Sequence, residues 1–292
     1  MNSTVQWSRR GGNIIFLISL PRSGSTMLQK IIGGHPDIAT LPEPWIMLHL
    51  AYLLKSTGII TEYDAALARE ATAGFLSHIG ASDELLVEGI RAQASVLYER
   101  ALAFHGKKIF LDKTPRYYNI IPELDRIFPK ARFIILLRNP LAAMTSALST
   151  WFDKDLEKFS QDENYTLDML TGPEKLFVGI RLLGKKAVTL RYEELVAAPD
   201  SVLKRLFIKL GLAYPENRGK QLVHKLPSSR FGDQSISNER WEFRTCVAEK
   251  WREILDTPAL KNFFKQYLQN IGPELIESLG YSYDDLIEAV CA

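Results

Sequence analysis

Residues 14–26 read Ile14-Ile15-Phe16-Leu17-Ile18-Ser19-Leu20-Pro21-Arg22-Ser23-Gly24-Ser25-Thr26. The run Ile14–Ser19 is almost wholly apolar and ends just before Pro21, as expected of a strand covered on both faces. Behind the loop, Thr26 to Ile32 carries helical spacing. A strand that passes through a tight loop of small residues into a helix aims successive N–H groups, and the positive helix end, at one point. That is a setting for an anion. Gly24 permits an unusual backbone angle, Ser25 and Thr26 offer hydroxyls, and Arg22 offers a charged fork. The same residues also suit a plain connection in which Pro and Gly turn the chain and Ser or Thr caps the helix.

Working outward, three more short apolar runs read as buried strands: Lys108–Leu111, Arg132–Leu137 and Ala187–Leu190. Helical spacing lies between them, at Tyr118 to Phe128, Leu141 to Trp151 and Ser201 to Leu210. Strands alternating with helices predict an α/β fold, a parallel sheet flanked by helices. The stretch Trp45 to Phe104 holds no convincing strand and reads as about three helices inserted after the first helix. Asn238 to Ala292 also reads as helical, broken by Pro258 and Pro273. The expected organisation is a tail over residues 1–12 and one domain over 13–292, with a helical insertion at about 45–105. The polar segments Asp153 to Thr171 and Pro227 to Glu239 read as irregular loops near a site.

The chain has 292 residues, 46% hydrophobic and 24% charged, a balance that excludes disorder, collagen-like structure and a disulfide scaffold. A net charge of +2 leaves no general nucleic-acid footprint, so any anion site is local. Two cysteines, Cys246 and Cys291, fit a reducing compartment. The first twelve residues are polar and no apolar run is long enough to span a membrane, so the expectation is a soluble, cytoplasmic protein.

The loop is not a Walker A motif, since Ser25 stands where the lysine should be, although Ile109-Phe110-Leu111-Asp112 imitates a Walker B strand. With Arg22 as a substitute for that lysine, a kinase or NTPase stays open as an alternative, as does a nucleotide-binding protein without catalysis. A second motif, Arg138-Asn139-Pro140, closes a strand and opens a helix that carries Ser146 eight residues beyond Arg138. Eight residues is just over two turns, which returns Ser146 to the side of the strand end, where such folds bind ligands.

Together, the Pro-Arg-Ser-Gly-Ser-Thr loop, Asp112-Lys113-Thr114-Pro115-Arg116, Arg138-Asn139-Pro140 with Ser146, and Leu190-Arg191-Tyr192-Glu193-Glu194 resemble the PAPS-dependent sulfotransferases. PAPS is 3′-phosphoadenosine 5′-phosphosulfate. The resemblance runs from Ile14 to about Gly280 and is closer to the bacterial and protein-tyrosine branch than to the cytosolic one.

The resemblance implies PAPS as sulfate donor and no metal. It assigns Arg22, Ser23, Gly24, Ser25 and Thr26 to the 5′-phosphosulfate, Arg138 and Ser146 to the 3′-phosphate, Tyr192 to the adenine side, and Lys250 to the neighbourhood of the 3′-phosphate. It implies Glu43 as general base and Lys113 with Arg22 as the stabilisers of the leaving phosphate; His35, in a His-Pro at the end of the first helix, is the rival base, although such a residue also suits a cap. The five histidines, His35, His49, His78, His105 and His224, are scattered and form no metal constellation. The implied partner is an acceptor bearing a hydroxyl: a sugar, an alcohol, a carrier-bound hydroxyacyl chain or a peptide tyrosine. The cytosolic branch's C-terminal Arg-Lys-Gly element is missing, with Phe231-Gly232-Asp233-Gln234 in its region, which leaves open whether Ser229 or Arg230 closes over the donor.

Overall fold

The computed structural model describes residues 10–214, 224–227, 229 and 250–291, with the side chain of Lys250 outside that set. Arg230, residues 231–234 and most of the expected loop at 227–239 also lie outside the described residues.

Five strands form one sheet: β1 (Ile14–Ser19), β2 (Ile38–Thr40), β3 (Ile109–Lys113), β4 (Arg132–Leu137) and β5 (Ala187–Arg191). Their order is β2-β3-β1-β4-β5 and every ladder is parallel. Strand β1 is therefore central, and all six of its residues are buried. The two-residue period splits its side chains between the two layers. Ile14, Phe16 and Ile18 face one apolar cluster; Ile15 and Leu17 face the other. Each such buried side chain is worth about 1.5–3 kcal/mol over an exposed one.

Helix α1 (Ser25–Gly33) follows β1 and is buried along its whole length. The insertion supplies α2 (Ile46–Tyr52), α3 (Ala65–His78) and α4 (Asp83–His105). A 3₁₀ segment (Pro115–Ile120) and α5 (Ile121–Ile127) lead from β3 to β4, and α6 (Pro140–Trp151) leaves β4. Asn139 caps α6 by accepting from the N–H groups of Leu141 and Ala142.

Asp153 to Thr171 is not irregular. It holds two short helices, α7 (Leu156–Gln161) and α8 (Glu163–Leu170), begun by Asp155 and Asp162, whose carboxylates accept N–H groups of their first turns. Helix α9 (Gly172–Leu183), which sequence reading passed over, runs back to β5, followed by α10 (Tyr192–Ala197) and α11 (Pro199–Lys209). Near the C-terminus, Pro258 and Pro273 open helices rather than break them: α12 (Pro258–Ile271) and α13 (Pro273–Ser278), before α14 (Tyr283–Cys291). Phe264 and Leu268 of α12 and Leu286 of α14 join α6, α7 and α8 in a third apolar cluster. Among the described residues no helix is long and apolar enough to cross a membrane.

Candidate active site

The strand order changes direction around β1, so a crevice opens outside the carboxyl ends of β3, β1 and β4. The loop after β1 lines it. Arg22 has a left-handed backbone at φ 63 and Gly24 one at φ 87. For Gly24 space is also limiting: a Cβ there would stand 2.5 Å from the Tyr192 ring. A glycine is thus required by angle and by contact. Ser23, Ser25 and Thr26 are buried in the same turn.

Arg138 and Ser146 both reach this loop. Arg138 donates to the carbonyl oxygen of Arg22 at 2.6 Å, and the Arg22 Nε–H donates to Ser146 Oγ at 3.2 Å. The Arg138 guanidinium lies over the Tyr192 ring at 4.5 Å, and its Nε is buried with no hydrogen-bond partner among the described residues. Burial pulls the pKa of Arg138 below its usual value, with the neighbouring Tyr192 and Glu193 acting the other way. Of the residues singled out from sequence, Arg22, Ser23, Gly24, Ser25, Thr26, Arg138, Ser146 and Tyr192 form one connected set. Position 250 opens a 3₁₀ turn, Lys250–Ile254.

Lys113 ends β3. The strand period puts Phe110 and Asp112 on one face of the sheet and Leu111 and Lys113 on the other, toward α1. The Lys113 ammonium donates to Thr26 Oγ1 at 3.2 Å and pairs with Glu43 Oε1 at 2.7 Å. Lys113 is 1% exposed and Glu43 12%. Glu43 is held in place by a relay behind it. Gln29 of α1 donates to Thr40 Oγ1 and to the Leu41 carbonyl, and Thr40 donates to the Leu111 carbonyl. The second carboxylate oxygen of Glu43 accepts the Trp45 indole N–H at 3.4 Å.

Asp112, the Walker B look-alike, faces away from the loop. It is fully buried and accepts from Tyr98 at 2.6 Å, Tyr117 at 3.2 Å and Thr114 at 3.1 Å. Burial raises its pKa to about 6, against the pull of those hydroxyls. It organises rather than binds: the Tyr117 oxygen accepts the Met47 N–H that opens α2, beside Glu43 and Trp45.

His35 stands at the other end of α1, at the amino edge of the sheet. Its Nδ1 accepts the Asp37 N–H at 3.1 Å and its ring stacks on Phe207. Burial lowers its pKa. Lys113, by contrast, bonds to Thr26 at the start of α1, the opposite end of the helix.

A second group, which sequence reading did not assemble, lines the mouth. The Arg22 guanidinium lies over Trp151 at 4.9 Å, and the Trp151 ring packs at a tilt against Tyr165, centroids 4.8 Å apart. Arg116 lies 5.5 Å from the Tyr165 ring and 5.9 Å from that of Trp45. Asp168 of α8 clamps Arg116 through Nε and Nη2, at 3.0 and 2.7 Å, and accepts from Tyr118. Burial raises the Asp168 pKa while Arg116 and Tyr118 work against it; burial also disfavours the Arg116 charge, which Asp168 more than offsets. Among the described residues no cluster of His, Cys, Asp or Glu could hold a metal ion.

Comparison with known proteins gives this geometry a context. A family model described as "Sulfotransferase family" matches residues 14–216, which span all five strands. Nodulation protein NoeE of Sinorhizobium fredii is 30% identical over 286 residues, covering 92% of this chain and 66% of that protein. The chain therefore spans about two thirds of that relative's length. A sulfotransferase domain from the curacin biosynthetic pathway superposes with a TM-score of 0.56 at 21% identity, over 92% of this chain and 98% of the domain. A mouse sulfotransferase, SULT7A1, solved with PAP, superposes at 0.50 with 14% identity, over 94% of both chains. At these identities the two structures show a shared fold. With the family model covering most of its length and every strand of its sheet, the chain belongs to the sulfotransferase family.

Proposed function

We propose that this chain moves a sulfuryl group from PAPS to an acceptor hydroxyl. The observation that carries the proposal is the pair Lys113–Glu43, a buried ammonium 2.7 Å from a carboxylate at the edge of an anion-binding loop. One group suits growing negative charge, and the other suits a departing proton. The residues also fit the donor. The orphaned Nε of Arg138 and the glycine-only turn at Gly24 are what a second phosphate and a close-lying phosphosulfate would need.

In this reading Glu43 accepts the hydroxyl proton as the acceptor oxygen bonds to sulfur. Lys113 and Arg22 meet the negative charge that collects on the 5′-phosphate oxygen as its bond to sulfur breaks. The donor supplies the activated sulfate, and leaves as PAP. Arg138 and Ser146 hold the 3′-phosphate, Tyr192 borders the adenine side, and Arg22 to Thr26 hold the 5′ end. Trp45, Arg116, Tyr165 and Trp151 wall the acceptor.

Melting temperature with PAP, ADP and ATP, with and without Mg²⁺, tests the proposal. PAP is expected to stabilise the unliganded fold by about 2.7 kcal/mol at 100 times its Kd, well beyond ADP at the same concentration, and without Mg²⁺. Arg138→Ala is expected to remove most of that preference. Equal shifts with PAP and ADP that ignore Arg138 would overturn the donor assignment, and an ATP shift that needs Mg²⁺ would point to a kinase.

A further inference from the structure

The C-terminal helices lie outside residues 14–216, the part matched by the family model, yet a residue in the turn between two of them reaches the nucleotide side of the crevice. Helix α13 ends at Ser278 and turns out through Leu279 and Gly280, where Gly280 is left-handed at φ 87. The N–H groups of Gly280 and Tyr281 turn back to the carbonyls of Glu277 and Ile276, at 2.9 and 3.2 Å. This stop projects Tyr281 away from the helix. Its phenol donates to Glu193 Oε2 at 3.0 Å. The other oxygen of Glu193 accepts the Asn139 N–H at 2.9 Å.

Asn139 is the residue after Arg138 and the cap of α6, the helix that carries Ser146. Glu193 follows Tyr192, whose ring supports the Arg138 guanidinium. A second tie keeps the segments together: Arg191 donates to the Gly280 carbonyl while pairing with Glu194. Burial and the Glu193 charge raise the Tyr281 pKa, which keeps its proton on the donor oxygen.

We propose that Tyr281 and Glu193 are positioning residues that fix the direction in which Arg138 presents its guanidinium, and so set the preference for a nucleotide with a 3′-phosphate. This rests on the donor reading above. The chain of contacts Tyr281–Glu193–Asn139 fixes the backbone at the root of Arg138; Arg22 and Tyr192 fix its tip. A guanidinium fork reads a phosphate only within about half an ångström of its productive place, so loosening the root costs the 3′-phosphate contact first. The 5′-phosphate is assigned to the loop after β1, which Arg138 touches only at the Arg22 carbonyl, so its hold is expected to change less.

Calorimetric titration of the full chain with PAP and with ADP separates these contacts. Tyr281→Phe keeps the ring and removes only the hydroxyl. It is expected to raise Kd for PAP about 3- to 10-fold while ADP changes less than twofold. Glu193→Ala is expected to weaken PAP about tenfold or more, and the double variant no further than Glu193→Ala, because both residues act through Asn139. A PAP-to-ADP ratio unchanged in Tyr281→Phe, or both nucleotides weakened equally, would overturn the proposal. So would additive losses in the double variant. A wild-type chain that binds PAP and ADP equally would overturn the donor reading itself, which is a different failure.

Discussion

Glu43 meets an ammonium with one carboxylate oxygen and an indole N–H with the other, so its place is set from two sides. That arrangement makes its proposed role separable from binding. Glu43→Gln keeps size and hydrogen bonding but removes the base. It is expected to leave PAP affinity near normal and lower kcat at least about 10²-fold under saturating donor. Lys113→Ala is expected to retain much of the PAP binding with a similar loss of rate. His35→Asn, on the far edge, serves as the control with an unchanged rate. An unaffected kcat in Glu43→Gln would remove it as the base. The family resemblance grouped the loop, Arg138, Ser146 and Tyr192, and in the structure these residues lie in contact. The sequence did not reveal that Arg138 and Ser146 meet at Arg22, because that convergence depends on how two strand ends sit side by side. Nor could Asp112 be told from a Walker B aspartate: which face of β3 it takes is a matter of register, and the hydroxyls that hold it come from residues 98, 114 and 117.

Short elements were the hardest to read. Strand β2 has three residues, too few for any period to register, yet it carries the chain to Glu43. Helices α7 and α8 are polar and were expected to be loops; their signal was the pair of capping aspartates, Asp155 and Asp162, one before each. The burial of Asp168 was not legible at all, since α8 looks solvated until Arg116 and Tyr118 are seen beneath it. This ion pair fastens the element to the mouth of the site. Asp168→Ala is expected to destabilise the fold by about 2–4 kcal/mol, under the full figure for a buried pair because Arg116 keeps 25% exposure. Urea unfolding measures it. The variant is expected to raise KM for the acceptor while PAP affinity holds; weakened PAP binding instead would show that α8 serves the donor side.

The alternating apolar runs made the sheet of the whole molecule legible, because a parallel sheet buried on both faces needs continuous apolar strands. Its stability carries a pH signature from the buried Asp112, whose pKa is raised by burial to about 6. A carboxyl held above its unfolded value adds stability that is complete below about pH 4 and is lost as pH rises through about 6. Relative to Asp112→Asn, the wild-type chain is therefore expected to lose on the order of 3 kcal/mol between pH 3.5 and 7. Unfolding curves of both proteins across that range check the sign; a constant difference would show that Asp112 titrates near its ordinary value. The central place of β1 has a further consequence, for synthesis. Of the five strands, β1 is made first, and it pairs with β3 and β4, which lie roughly 100 residues downstream. At about 5–20 residues per second, Ile14–Ser19 waits on the order of 5–20 s for its first neighbour. Throughout that interval an apolar, strand-forming segment of the nascent chain has no edge to pair with, so the strand at the heart of the finished sheet is the one a chaperone would have to shelter first.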